Sequence, residues 1–190
     1  MPDVMLTTPN NLLQWMRVYC LYHEAFPAAE RKPFGIIVRM HREGRSDVWC
    51  VEKSGRFSGF ASTINGDKLI LLDYFAVERN CRGKGIGSAA LAQLQRVYGD
   101  KGLFVEIEST REAGPDQTRR EKRKRFYQAC GMEELHVEAD VFGVKMELLG
   151  SRCVLDFEGY RVFYRDHYGA WAAKNIRSVQ SRKKDENNRI

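Results

Sequence analysis

Chemistry in this chain gathers first at Arg82-Gly83-Lys84-Gly85-Ile86-Gly87, where glycines alternate with two cations and an isoleucine. Glycine at such positions lets the backbone enter positive φ and come close to a ligand. The residues that follow, Ser88 to Tyr98, place Leu91, Leu94, Gln95 and Tyr98 near one face of a helix. A helix starting there offers unpaired backbone amides and the positive end of its dipole. Arg82 and Lys84 add charge, so the turn suits a phosphate or pyrophosphate. A plain tight turn would use the same glycines. The GxxxxGK[ST] nucleotide loop is absent, and no βαβ repeat surrounds the turn as a dinucleotide fingerprint requires.

Other chemistries find little support. The histidines at 23, 41, 136 and 167 have no ligand-like spacing. The cysteines at 20, 50, 81, 130 and 153 are odd in number and form no CxxC pair. Reduced, structural thiols and no metal are expected.

The surrounding elements must position the turn. Asn10 or Asn11 can cap a helix whose apolar residues run from Leu12 to Phe26 and which Pro27 stops. Ala25 to Gly35 reads as a turn-rich connection or a short second helix. Apolar runs such as Phe34 to Val38 and Leu69 to Leu72 are strand-sized, far short of the ~20 residues of a membrane helix. Val48 to Val51, Ser58 to Ile64 and Leu69 to Val77 make a meander with turns at Ser54-Gly55 and Asn65-Gly66. Leu103 to Glu108 is a further strand. Thr118 to Cys130 is a charged helix closed by Gly131. Two strands flank Phe142-Gly143. From Ser151 an aromatic-rich, helical stretch follows (Tyr160, Phe163, Tyr164, Tyr168, Trp171), and then a polar, frayed end. The fold class is α/β (α+β), with a central mixed sheet.

The 190 residues fit one domain, or one domain with an appendage. A hydrophobic share of 43% argues against disorder. The net charge of +6 is local. Arg119 to Arg125 holds six cations and one anion, and Arg177 to Ile190 holds five and two. The rest is slightly acidic, which weakens a general nucleic-acid reading. With no basic-then-apolar start to mark a secretory signal, the cytoplasm is the expected location.

Two segments carry a family resemblance. LLDYFAVERNCRGKGIGSAAL resembles motif A of the GNAT superfamily of acyl-CoA-dependent N-acyltransferases, with Arg82, Gly85 and Gly87 matching its Arg/Gln-x-x-Gly-x-Gly/Ala. Phe126-Tyr127-Gln128-Ala129-Cys130-Gly131-Met132 resembles motif B, FYxxxGF, with Met132 replacing the last aromatic. The likeness covers about Leu12 to Leu149 and is strongest from Leu69 to Met132. It implies a GNAT-type mixed, mostly antiparallel twisted sheet with helices on both faces. It also implies an acyltransferase domain over 1–150, with 151–190 as an extension that covers the core, walls the acceptor site or mediates dimerisation.

The resemblance implies site residues as well. The diphosphate of acetyl-CoA would lie on the amides of Arg82, Gly83, Lys84, Gly85, Ile86, Gly87 and Ser88. Its pantetheine arm would pair with Phe75, Ala76 and Val77, one of whose amides would polarise the thioester carbonyl. Tyr127 would protonate the leaving thiolate, while Phe126 packs the helix face. Phe104, Glu106 and Glu108 share one strand face by alternation. Glu106, deeper in the strand, is the first choice for a base acting on the amine, with Glu108 beside it; either could instead bind a cationic amine, or the two form a solvated strand face. Asp73 and Glu30 are weaker candidates on the acceptor side. Arg119, Arg120 or Arg123 could attract the 3′-phosphate, or the run is simply a solvated face. The expected function is acetyl transfer to a primary amine on a small molecule or peptide by direct attack in a ternary complex. The rival is a CoA-binding sensor or scaffold without chemistry. No nucleic-acid or membrane partner is expected, and homodimers are frequent in the family.

Overall fold

The computed structural model describes residues 3–179. The polar end SRKKDENNRI lies outside the described residues. The chain divides into two compact units, one ending at Asp100 and the other starting at Lys101.

The first unit is a four-strand antiparallel sheet in the order β1 (Val4–Thr7), β2 (Ser46–Lys53), β3 (Arg56–Asn65), β4 (Leu69–Val77). The β2–β3 turn places Ser54 and Gly55 at φ 50° and 71°, the twist-matched hairpin form expected from its sequence. Helix α1 (Leu12–Ala25) starts at Asn11, whose side chain accepts from the Gln14 amide at 3.0 Å. It ends before Pro27, as the sequence indicates. Its buried residues Val18, Leu21 and Tyr22 join Ile37, Val48, Cys50, Phe60, Tyr74 and Ala76 in one core. On the opposite face Phe75 and Val77 pack with Val4, Val51, Ile86, Ala89 and Ala90, the last three from α3 (Ile86–Val97). Strand β4 is apolar almost throughout because both of its faces are covered.

One reading of this unit needs correction, and one strand-sized apolar run is helical. Phe34 to Val38 opens helix α2 (Phe34–Arg42), which follows Pro33. The buried residues Ile37 and Met40 lie three apart, a helical period that the short apolar run conceals. Val4–Thr7, read as a lead-in, is a strand because β2 offers it an edge in the register Val4↔Lys53.

Gly59 fixes how closely β3 approaches β4. A Cβ there would lie 2.4 Å from the Ala76 carbonyl oxygen, so only glycine fits without moving backbone. Tyr98, just past α3, ties that helix to the sheet. Its hydroxyl donates to Asp47 at 2.9 Å and accepts from the Trp49 indole at 3.0 Å.

The second unit has its strands in the order β5 (Gly102–Glu108), β7 (Val144–Ser151), β6 (Glu133–Val141), β8 (Ile176–Ser178), with antiparallel pairing throughout. Phe142 and Gly143 form the β6–β7 turn at φ 51° and 91°. Helix α4 (Gln117–Ala129) carries the basic run, and Gly131 follows at φ 81° as the expected cap residue. Residues beyond 150 form α5 (Phe157–Tyr168), the short α6 (Ala170–Lys174) and β8. Tyr160, Phe163 and Tyr164 of α5 are buried, and Phe163 stacks edge-on against Phe104 at 5.1 Å. Trp171 is exposed.

Candidate active site

The glycine turn is built as its residue types require. After β4 a 3-10 turn over Arg79–Cys81 leads to Gly83 and Gly85, both at φ 73°, a left-handed conformation that costs other residues about 1 kcal/mol or more. Gly85 is the cap of α3, and its carbonyl receives the Ala89 amide at 3.0 Å. The amides of Ile86, Gly87 and Ser88 therefore precede the first intrahelical bond. Arg82 Nε donates to the Val77 carbonyl at 2.9 Å and Lys84 Nζ to the Asn80 carbonyl at 2.8 Å. Both cations brace the turn while their residues remain exposed. Left-handed glycines, a helix start and two exposed cations suit an anionic diphosphate in chemistry and in access.

Phe75, Ala76 and Val77 end β4 and pair with Ala61, Phe60 and Gly59. Just before them the ladder slips. Ser62 faces Tyr74 and Thr63 faces Leu72, which leaves Asp73 as the extra residue of a β-bulge. Asp73 receives Lys32 Nζ at 2.7 and 2.8 Å. The segment containing Glu30 is held from the same strand. Tyr74 Oη donates to the Glu30 carbonyl at 3.0 Å and accepts from the Lys32 amide at 3.2 Å, and Tyr22 Oη donates to the Lys32 carbonyl at 2.9 Å. Burial pushes both phenols above their ordinary pKa, with Asp73 adding to the rise. Glu30 itself is exposed.

The carboxylates of β5 do not form a common site. Glu106 accepts from Tyr160 Oη at 2.7 Å through one oxygen and from Tyr164 Oη at 2.9 Å through the other. Glu108 instead lies 3.5 Å from Arg123 of α4, and its Oε1 is buried without a hydrogen bond. Tyr127 is the buried residue of α4, whereas Phe126, assigned the packing role from sequence, is half-buried. Burial pushes the Tyr127 phenol up to about 12, against a smaller opposing effect of the Arg123 charge.

Much of the basic run is engaged within its own unit. Arg119 pairs with Asp116, and Arg120 donates to the carbonyls of Ser109 and Glu112. Arg125 pairs with Glu121. Lys124 reaches Glu147 at 2.6 Å and Glu134 at 2.9 Å. Glu147 is buried and also accepts from the Ser109 hydroxyl and from the amide and hydroxyl of Thr110. Sequence reasoning missed Glu147. Its only signal was one acidic residue in an apolar strand. Among the described residues no group of three or more His, Cys, Asp or Glu side chains could hold a metal ion. No described helix is long and apolar enough to cross a membrane.

The sequence model of the acetyltransferase (GNAT) family matches residues 15–132, and the chain belongs to that family. The Bacillus subtilis (strain 168) protein YjbC, whose name assigns it provisionally to the acetyltransferases, is 32% identical over 117 residues. That match covers 60% of this chain and 55% of YjbC, so the chain spans about half the length of this relative. Among solved structures, a GNAT-family protein from Bacteroides thetaiotaomicron superposes with a TM-score of 0.72 at 18% identity, covering 90% of this chain and 98% of that one. An aminoglycoside 6′-N-acetyltransferase complexed with coenzyme A gives 0.64 at 15% identity, covering 78% and 95%. These likenesses establish the mixed, mostly antiparallel α/β fold of GNAT proteins.

Proposed function

We propose that this protein transfers the acetyl group of acetyl-CoA to a primary amine by direct attack in a ternary complex. The observation that carries the reading is the turn with left-handed Gly83 and Gly85 opening α3 in a member of the GNAT family. The amides from Arg82 to Ser88 would hold the diphosphate, and the end of β4, Phe75 to Val77, would pair with pantetheine. Support comes from the coenzyme A complex of the aminoglycoside relative.

In the step itself the amine nitrogen bonds to the thioester carbon and the carbon–sulfur bond breaks. The amine gives up a proton, and the departing thiolate takes one. Tyr127 is the proposed donor, since its phenol keeps its proton until pH approaches about 12. Glu106 and Glu108 are the proposed bases. Both Glu106 oxygens accept from phenols, whereas Glu108 faces Arg123 and its buried Oε1 accepts no hydrogen bond. Residues 1–150 are proposed as the transferase domain, with 151–190 as its extension. The five free cysteines accord with work in the cytoplasm.

One observation favours a CoA-binding module without chemistry: Glu106 and Asp73 are both already bonded within the protein. Thiol release from acetyl-CoA across a panel of primary amines separates the two readings. Release that depends on an amine and collapses in Tyr127→Phe supports the transferase. Acetyl-CoA binding with no amine-dependent release supports the module.

A further inference from the structure

Lys32 and Asp73 meet in a way that a simple brace does not require. The segment around Lys32 is held by its backbone. Its carbonyl accepts from Tyr22, its amide donates to Tyr74, and Tyr74 donates to the Glu30 carbonyl. The Lys32 ammonium adds a separate contact. It lies 2.7 and 2.8 Å from the two Asp73 oxygens and 5.6 Å from the centre of the Tyr74 ring. A carboxylate beside an aromatic face is the pair of groups that recognises a primary ammonium.

The carboxylate is placed there by a defect in the sheet. Asp73 is the extra residue of the β3–β4 bulge, and its side chain is 11% exposed. Bulges re-aim side chains and recur beside functional sites. The Lys32 side chain, 32% exposed, stands on a flexible four-carbon stem in a connection between helices. Asp73 is too buried to be left unpaired cheaply, so the lysine ammonium can be exchanged only for another cation that takes its place. The Lys32 ammonium can leave in that way while the backbone bonds of its segment persist.

We propose that Asp73 and the Tyr74 ring form an ammonium subsite for the acceptor, and that Lys32 is its internal occupant, displaced when a cationic amine binds. The proposal rests on the acetyltransferase reading and deepens it. It names the acceptor class as amines carrying a positive charge at the recognised end, and it makes Lys32 a competitor that sets the affinity threshold.

Calorimetric titration of the full chain with 1,4-diaminobutane, without acetyl-CoA, tests it. Lys32→Met removes the occupant and leaves the backbone bonds in place. It should bind the diamine about fivefold more tightly than the unaltered protein, equivalent to about 1 kcal/mol. Lys32→Gln should show the same direction and guards against a packing effect peculiar to methionine. Adding Asp73→Asn to Lys32→Met should remove the gain. Equal or weaker affinity in both Lys32 variants, no measurable binding to either, or a gain that survives Asp73→Asn overturns the subsite. Acetyl-CoA binding is titrated separately. Its presence without the diamine effect leaves the transferase reading standing and the subsite refuted. Its absence removes the transferase reading, whatever the diamine does.

Discussion

Tyr160, fully buried in α5, donates its hydroxyl to Glu106 of β5 across 2.7 Å, joining residues 54 apart in the chain. Tyr164, one helical turn on, takes the other carboxylate oxygen at 2.9 Å. Burial and the neighbouring Glu106 charge push the Tyr160 phenol well above its ordinary pKa, so the donor keeps its proton. Hydrogen bonds to a charged group are worth about 1.5–3 kcal/mol each. Tyr160→Phe should therefore destabilise the protein by about 2 kcal/mol, read by urea denaturation. Tyr164→Phe, nearer the surface, should cost less. If both variants unfold at the midpoint of the unaltered protein, the phenols do not hold the helix to the strand.

The Lys124–Glu147 pair sets a pH window. Burial pushes the Glu147 carboxyl up, but Lys124 and the Thr110 donors outweigh it and bring it below the ordinary 4.5. Its stabilisation is present above 4.5 and is lost as pH falls through the lower folded value. Burial pushes Lys124 down, and its bonds to Glu147 and Glu134 outweigh that, raising it above the ordinary 10.5. Its stabilisation is present below 10.5 and is lost as pH rises through the higher folded value. Glu147→Gln should cost about 2 kcal/mol at neutral pH and flatten the acid limb of the stability profile. An acid limb unchanged in the variant would assign it to other carboxylates.

Tyr127→Phe should lower kcat by about 100-fold, at the low end for loss of a general acid. Acetyl-CoA affinity should stay within about twofold. In the unaltered protein no alkaline loss of turnover should trace to this phenol until pH approaches about 12. Turnover that survives the substitution would leave Tyr127 a packing residue, a role its burial alone could fill.

The cysteines should differ in reactivity. Cys20 is exposed, whereas burial pushes the thiols of Cys50 and Cys153 up to about 11. At pH 8 iodoacetamide should label Cys20 first and these two about 100-fold more slowly, since the thiolate is the reacting form. Peptide mapping after timed quenching reads the order. Early labelling of Cys50 would show that β2 opens readily to solvent.

Local chemistry was legible in the sequence wherever one segment decides it. Asn11, Pro27, Gly55, Gly83, Gly85 and Gly131 each stand at the cap or turn their residue types require, and Leu69 to Val77 is a strand from end to end. What escaped depends on distant partners. Val4–Thr7 is a strand because Lys53 to Cys50 lies opposite it, and Ile176–Ser178 because β6 does. Alternation placed Glu106 and Glu108 together on β5. It could not show that α5 would supply phenols to one and α4 an arginine to the other. Nor could it show that Asp73 sits on a bulge, since the slip exists only in the pairing with β3.

The family match ends at residue 132, yet the second unit does not close there. Its sheet includes β7 beyond that point, and β8 pairs along Ala139 to Val141 at one side. Phe104 and Glu106 are covered from Tyr160, Phe163 and Tyr164. Similarity and cooperativity thus have different borders in this chain. A protein shortened to the recognisable part would expose an unpaired strand edge and an aromatic face together, the combination that drives self-association. Residues beyond the matched stretch thus supply the strands and aromatic side chains that cover β5 in the second unit.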